Sequence, residues 1–374
     1  MEWLDAFRSH ALALPNLAKF AVLLALIVGV PALARRLKIP DLVGLVVVGL
    51  LLGPHVVGLY GANHPIVQFF ADLGRLMLMF AVGLEVDINL FRKAQTRSIT
   101  FGLITTITPQ VLGTAYGLAF GYGIIPAIVI GSLLASHTLL ALPIVTRLGA
   151  IALEPVVVTI GATLVSDTVS LIIFGICVST YTTGFSTSGL TLQIVEVAIF
   201  VPLILVGVSR AGAWILNKLK DNQAGYFVTM LGIMAVAGEL ADLINLPDIV
   251  GAFLAGLAVN AAVGDHPVKE KLDFFGRAFF IPIFFIVIGF LIVPVAVGQT
   301  ILNNFWLVAG MVICLILGKG IAAWIAGRSF GYTSQATLTM WALTLPQVAA
   351  ALAATLVGYK TFNAAGERLL SRPG

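Results

Sequence analysis

Long apolar runs recur along almost the entire chain, near residues 16–34, 41–59, 67–88, 98–120, 124–146, 153–180, 189–215, 224–245, 248–264, 272–296, 304–327 and 334–358. Each approaches or exceeds the ~20 residues that carry a helix across the hydrocarbon core of a bilayer. Lipid offers no partner to a backbone amide, so only helices and closed barrels can span it. Barrel strands alternate apolar and polar residues at every second position, and these runs do not. The expected class is therefore an all-α polytopic membrane protein with about twelve spans. Composition agrees: 59% of the residues are hydrophobic and 10% are charged, where a soluble domain carries about a quarter charged.

The distribution of charge gives the orientation. Alternate loops are basic: Arg35/Arg36/Lys38, Arg92/Lys93/Arg97, Arg147, Lys218/Lys220, Lys269/Lys271/Arg277 and Arg328. The intervening loops, such as "GPHVVGLYGANHP", "TTGFSTSG" and "VGQTILNN", contain no Lys or Arg. The positive-inside rule places the N-terminus outside and the basic loops in the cytoplasm. The pI near 9.1 thus reflects topology and implies no nucleic-acid partner. Glu2 and Asp5 precede the first run and its basic cluster follows it, the reverse of a signal peptide, so that helix is expected to be retained. Cys177 and Cys314 lie inside apolar runs and suggest neither a disulfide framework nor a metal site.

Two spans share a local pattern. "LALPIV" (Leu140–Val145) and "LTLPQV" (Leu343–Val348) both read L-x-L-P-x-V. Proline removes a backbone donor and clashes with the preceding turn, so breaks are expected at Pro143 and at Pro346/Gln347. The loop charges orient the two spans oppositely. Interrupted helices in two inverted halves point to a transporter with its binding site at the membrane midplane. Carrying the repeat forward predicts a third helix centred near residue 370, where the sequence reads "YKTFNAAGERLLSRPG". The second repeat is therefore expected to stop one helix short.

One carboxylate falls deep within a span, Asp167 in "GATLVSDTVSLIIF". An uncompensated charge at that depth costs roughly 3 kcal/mol even on lenient scales. Thr159, Thr163, Ser166, Asp167 and Ser170 recur at three- and four-residue steps, forming a polar stripe that must face protein or water. The first break adds Ser136, His137 and Thr138, whose unwound backbone is expected to offer carbonyls to a cation. Lys319, in "LILGKGIAAWIAGR", is the other deep charge. Hard oxygen ligands around one acid suit Na+ or K+, and a proton competing for the same carboxylate would make the site an antiporter's. No catalytic residue is expected. An intramembrane aspartyl protease needs a second aspartate, a prenyltransferase needs acidic clusters for magnesium, and a serine nucleophile using His137 lacks an elbow motif. Asp72/Arg75 read as a structural i,i+3 pair, Glu239 and Asp242 as a solvated helix end, and Glu196 as a half-buried acid that is harder to place.

The segments "LGRLMLMFAVGLEVDINLFRK" (73–93), "GATLVSDTVSLIIF" (161–174), "LPDIVGAFLAGLAVN" (246–260), "FFIPIFFIVIGF" (279–290), "ILGKGIAAWIAGR" (316–328) and "LTLPQVAAALAATLVGY" (343–359) together resemble the bacterial monovalent cation/proton antiporters of the Kef-type and sodium/proton exchanger superfamily. The resemblance implies an inverted-repeat antiporter fold with two crossed broken helices, about twelve of an expected thirteen spans being present. It implies a dimerisation domain (1–95 and 224–298), an ion-transporting core (96–188 and 299–374) and a linker helix (189–223). It also implies a homodimer in the bacterial inner membrane, an elevator-type movement of the core and no cofactor beyond the transported ions. The family's ion-binding aspartate falls on Asp167 and its core lysine on Lys319. Ser166 departs from the pattern, since family members often carry aspartate, asparagine or glutamine there. With Ser166 unable to pair Lys319, Asp167 is expected to be the lysine's nearest anionic partner. Exchange is then electroneutral if Lys319 keeps its proton and electrogenic if it does not. The alternatives are a K+ efflux system of the Kef type and a sensor or assembly protein that retains the fold without transport.

Overall fold

The computed structural model describes residues 15–37, 39–54, 56–58, 65–85, 94–137, 145, 150, 153–263, 267–347 and 349–370. In chain order its helices are α1 (Asn16–Arg36), α2 (Asp41–Leu52), α3 (Pro65–Glu85), α4 (Gln95–Ala119), α5 (Ile124–Ala135), α6 (Glu154–Thr183), α7 (Thr187–Pro202), α8 (Ser209–Lys218), α9 (Gln223–Asp242), α10 (Asp248–Val263), α11 (Pro267–Phe275), α12 (Ile281–Leu291), α13 (Pro294–Asn303), α14 (Phe305–Phe330), α15 (Ser334–Thr344) and α16 (Ala349–Lys360). A π turn at Leu203–Val208 joins α7 to α8, and another at Gly276–Phe280 joins α11 to α12. Among the described residues, extended pairing is confined to one antiparallel bridge, Phe362 with Arg368.

The fold is all-α, as the apolar runs predict. Seven helical segments among the described residues are long and apolar enough to cross a membrane, and three shorter apolar helices lie between them. One of the three, α5, is short because it stops in mid-span.

The chain divides into two compact units. The first comprises residues 1–78 and 265–305. Within it α2 and α12 cross with their backbones in contact: a Cβ on Gly49 would stand 2.0 Å from the Ile286 carbonyl oxygen, and one on Gly289 2.3 Å from that of Val46. Small residues bring membrane helices this close because lipid gives no hydrophobic drive to pack them, leaving van der Waals contact to do it.

The second unit comprises residues 79–264 and 306–374. Gly113 and Gly117 on α4 face Gly131 and Ala127 on α5, a small-xxx-small pair on each helix. Helix α6 packs along both α4 and α5. Phe101, Val158, Ala162, Ala322, Ala323, Ala326 and Met340 form a core that joins α4, α6, α14 and α15. A clamp ties the basic ends of these helices: Arg97 pairs with Glu154, donates to the Tyr332 hydroxyl at 3.2 Å and stacks on Phe330 and Tyr332.

Helical structure stops inside two of the apolar runs. Helix α5 ends at Ala135 and Ser136 is extended (φ −67°, ψ 163°). Pro143 and Thr138 lie outside the described residues. In the second break, α15 ends at Thr344, Leu345, Pro346 and Gln347 are non-helical, and α16 resumes at Ala349.

Candidate functional site

The polar stripe of α6 runs through the interior of the second unit. Its hydroxyls mostly satisfy their own donors by bonding back along the helix: Thr159 Oγ1 to Pro155 O at 2.7 Å, Thr163 Oγ1 to Thr159 O at 3.0 Å, Ser166 Oγ to Thr163 O at 3.0 Å and Ser170 Oγ to Asp167 O at 3.2 Å. Such back-bonding is the usual recourse of a hydroxyl inside a helix. It leaves oxygen lone pairs directed away from the helix.

Against this stripe lies the end of α5. The backbone N–H of His137 donates to Asp167 Oδ1 at 3.3 Å. The His137 ring is held between two hydroxyls, Nε2 to Thr163 Oγ1 at 2.9 Å and Nδ1 to Ser166 Oγ at 3.0 Å. Asp167 is 4% exposed, and Ser136, His137 and Ser166 are buried with it. The acid predicted to be functional is therefore buried and accepts a backbone N–H from the unwound end of the neighbouring helix. The proposed ligands Ser136, His137, Thr163, Ser166 and Asp167 are brought together. Thr138 cannot be placed.

Three carbonyls where α5 ends are already occupied by side chains. Leu134 O accepts from Gln347 Nε2 at 2.7 Å and Ser136 O from the same nitrogen at 3.0 Å. Ala135 O accepts from Lys319 Nζ at 2.5 Å. A helix end leaves its last carbonyls without intrahelical donors, and inside a membrane no bulk water replaces them. Side chains from the second repeat fill that role.

Lys319 is fully buried in the site, as expected, but its ammonium rests on main-chain oxygens. Its second partner is Thr105 O at 3.1 Å, and among the described residues it forms no ion pair with Asp167. The backbone of α4 and α5 supplies the negative ends of two peptide dipoles where an aspartate at position 166 would have supplied a charge. Gln347 was legible only as the residue after a helix-breaking proline. Its adjacency to Pro346 placed it in a break, but nothing in the pattern showed which carbonyls its amide reaches.

The remaining charges are peripheral. Asp72 and Arg75 stand 3.6 Å apart as an i,i+3 pair, and Glu239 and Asp242 are exposed at the end of α9. Glu196 is half-buried and makes no ion pair among the described residues. The buried polar residue of α7 is instead Gln193, which accepts from Ser179 Oγ at 2.5 Å and donates to Ile244 O at 3.0 Å. Its position one turn before Glu196 was the available signal.

The profile of one family, described as "Sodium/hydrogen exchanger, transmembrane", matches residues 22–371. The chain belongs to the sodium/hydrogen exchanger family. Like other members, it is a multi-pass membrane protein. It is 44% identical over 355 residues to the Na(+)/H(+) antiporter NhaS5 of Synechocystis sp., a match that covers 95% of this chain and 51% of that protein. The chain thus spans about half the length of this exchanger. It is 28% identical over 315 residues to the Na(+)/H(+) antiporter of Enterococcus hirae, covering 83% of this chain and 81% of that one. Both relatives are named as transporters and neither as an enzyme. The solved structure of the sodium proton antiporter MjNhaP1 from Methanocaldococcus jannaschii superposes with a TM-score of 0.71 at 15% identity, over 91% of this chain and 85% of that one. That likeness establishes the inverted-repeat antiporter fold.

Proposed function

We propose that this chain is a secondary antiporter that exchanges Na+ for H+, with Asp167 as the seat shared by the two ions. The observation that carries the reading is the environment of Asp167. Among the described residues it is the one buried carboxylate, met by the backbone N–H at the unwound end of α5, with the His137 ring held beside it by two hydroxyls of the stripe. Such a carboxylate neutralises its charge either by taking a proton or by taking a monovalent cation. The oxygens of Ser136, Thr163 and Ser166 are hard donors suited to Na+. Because one charge cannot serve both ions at once, loading one side with Na+ releases a proton there.

In this reading the core moves against a dimerisation domain by an elevator-type step, the protein is a homodimer of the bacterial inner membrane, and its N-terminus lies outside. Sequence resemblance and loop charge support these features. The test is Na+-dependent dequenching of a pH probe in everted vesicles from a strain without antiporters of its own. Addition of Na+ should dequench the probe. A response to K+ alone would replace this reading with a K+ efflux system, and no response to either ion would mean that the fold is retained without transport.

A further inference from the structure

A small cavity lies beside the Asp167 site and shares Ser136 with it. It is lined by Ser132 of α5, Ser136 just beyond its end, Ser170 and Phe174 of α6, and Ala350 and Ala354 of α16. Ser170 is one turn beyond Asp167 toward Thr183, the end of α6 that leads into a loop without Lys or Arg. By the positive-inside rule the cavity lies on the outer side of the carboxylate. Its volume is about 10 Å³, close to the minimum that admits a single water.

Two of the three serine hydroxyls at the cavity have their protons committed. Ser132 Oγ donates to Val129 O at 2.8 Å and Ser170 Oγ to Asp167 O, so both oxygens keep lone pairs to accept with. Ser136, 4% exposed, has no partner for its hydroxyl among the described residues. One water can donate to Ser132 and Ser170 and accept from Ser136. That makes three bonds, the usual number for a buried water. The other side chains of the lining, Leu133, Leu171, Phe174 and three alanines of α16, are apolar, and no carboxylate lines the space to favour a cation.

We propose that Ser132, Ser136 and Ser170 hold one ordered water on the outer side of Asp167, and that this water is the step by which the outer solution reaches the carboxylate. The inference rests on Asp167 being the exchange site. It adds a polar stepping stone that operates from one side of the membrane.

Hydroxyl-radical footprinting of the unmodified protein in vesicles tests occupancy. Leu171 and Phe174 border the cavity and are 3% and 1% exposed, so bulk solvent does not reach them. A held water should nevertheless label both at early times, and Ser170→Val, which puts a methyl group into the space, should abolish the labelling. Unlabelled Leu171 and Phe174 would overturn the proposal, as would labelling that vanishes when Na+ replaces choline, because the guest would then be the cation. Sided transport tests the role. Ser132→Val and Ser170→Val should each raise the half-saturating Na+ concentration about tenfold from the outer side, with the inner-side value unchanged. Ser132→Ala, which keeps the space and removes one acceptor, should give a smaller shift in the same direction. Equal effects from both sides, or none, would overturn it. Asp167→Asn separates the two readings. If exchange is lost there but normal in Ser170→Val, only the water is wrong, whereas exchange surviving Asp167→Asn overturns the site itself.

Discussion

Lys319 carries an ammonium into the interior of a membrane protein and finds two carbonyl oxygens there, Thr105 O and Ala135 O. Its depth in an apolar run showed that it had to be compensated, but the run could not show by what. Position 166 suggested an answer by elimination, with serine removing one carboxylate and leaving Asp167. The folded chain keeps that electrostatic pairing and adds backbone to it, because the end of α5 leaves acceptors at that height. Lys319→Met would leave both oxygens buried without a donor, at about 1–3 kcal/mol each. The solubilised variant should therefore show a clearly lower Tm than the parent. The His137 ring is held by Thr163 and Ser166, so His137→Ala should free the stripe hydroxyls and weaken Na+ binding while leaving the backbone contact to Asp167 in place. Isothermal titration with Na+ would read the change.

At the level of elements, the site depends on two interrupted helices joined by one side chain. Gln347 leaves the second break and donates to two carbonyls of the first. The amide thus holds the ends of two helices from opposite halves of the chain together. Gln347→Leu is similar in bulk but has no donor, and should cost about 1–3 kcal/mol per orphaned carbonyl. Thermal unfolding of the solubilised variant would measure it. The interruption at Pro346 was legible, since a proline inside an apolar span leaves few other outcomes. Its cross-connection to the end of α5 was not, because a contact between distant segments leaves no trace in local spacing. The close crossing of α4 and α5 was likewise hidden in glycines that read as ordinary membrane composition. A Cβ on Gly131 would stand 2.5 Å from Gln110 O and 2.6 Å from Thr114 Oγ1, so Gly131→Val should cost on the order of 1–3 kcal/mol by overpacking. Lower yield and a lower Tm of the solubilised protein would show it.

Over the whole molecule, hydropathy and charge placement were enough to give the class, an all-α membrane protein. They also singled out the acid on which the functional reading turns. Where that reading gains from the structure is in stoichiometry. The partners of Lys319 are neutral oxygens, which hold its ammonium without cancelling the charge, so the stoichiometry turns on whether it keeps its proton. Na+-driven current on a supported membrane would mean that it does not, and exchange without current that it does. Competition for a single carboxylate also fixes the sign of the pH effect: lowering pH should raise the half-saturating Na+ concentration while saturating Na+ restores the maximal rate. The most direct test of the central claim is Na+-dependent dequenching in vesicles carrying Asp167→Asn, a change that keeps shape and polarity but removes the charge. Loss of the response, with the variant still folded and inserted, is the predicted result. Exchange persisting at the parental rate would contradict it.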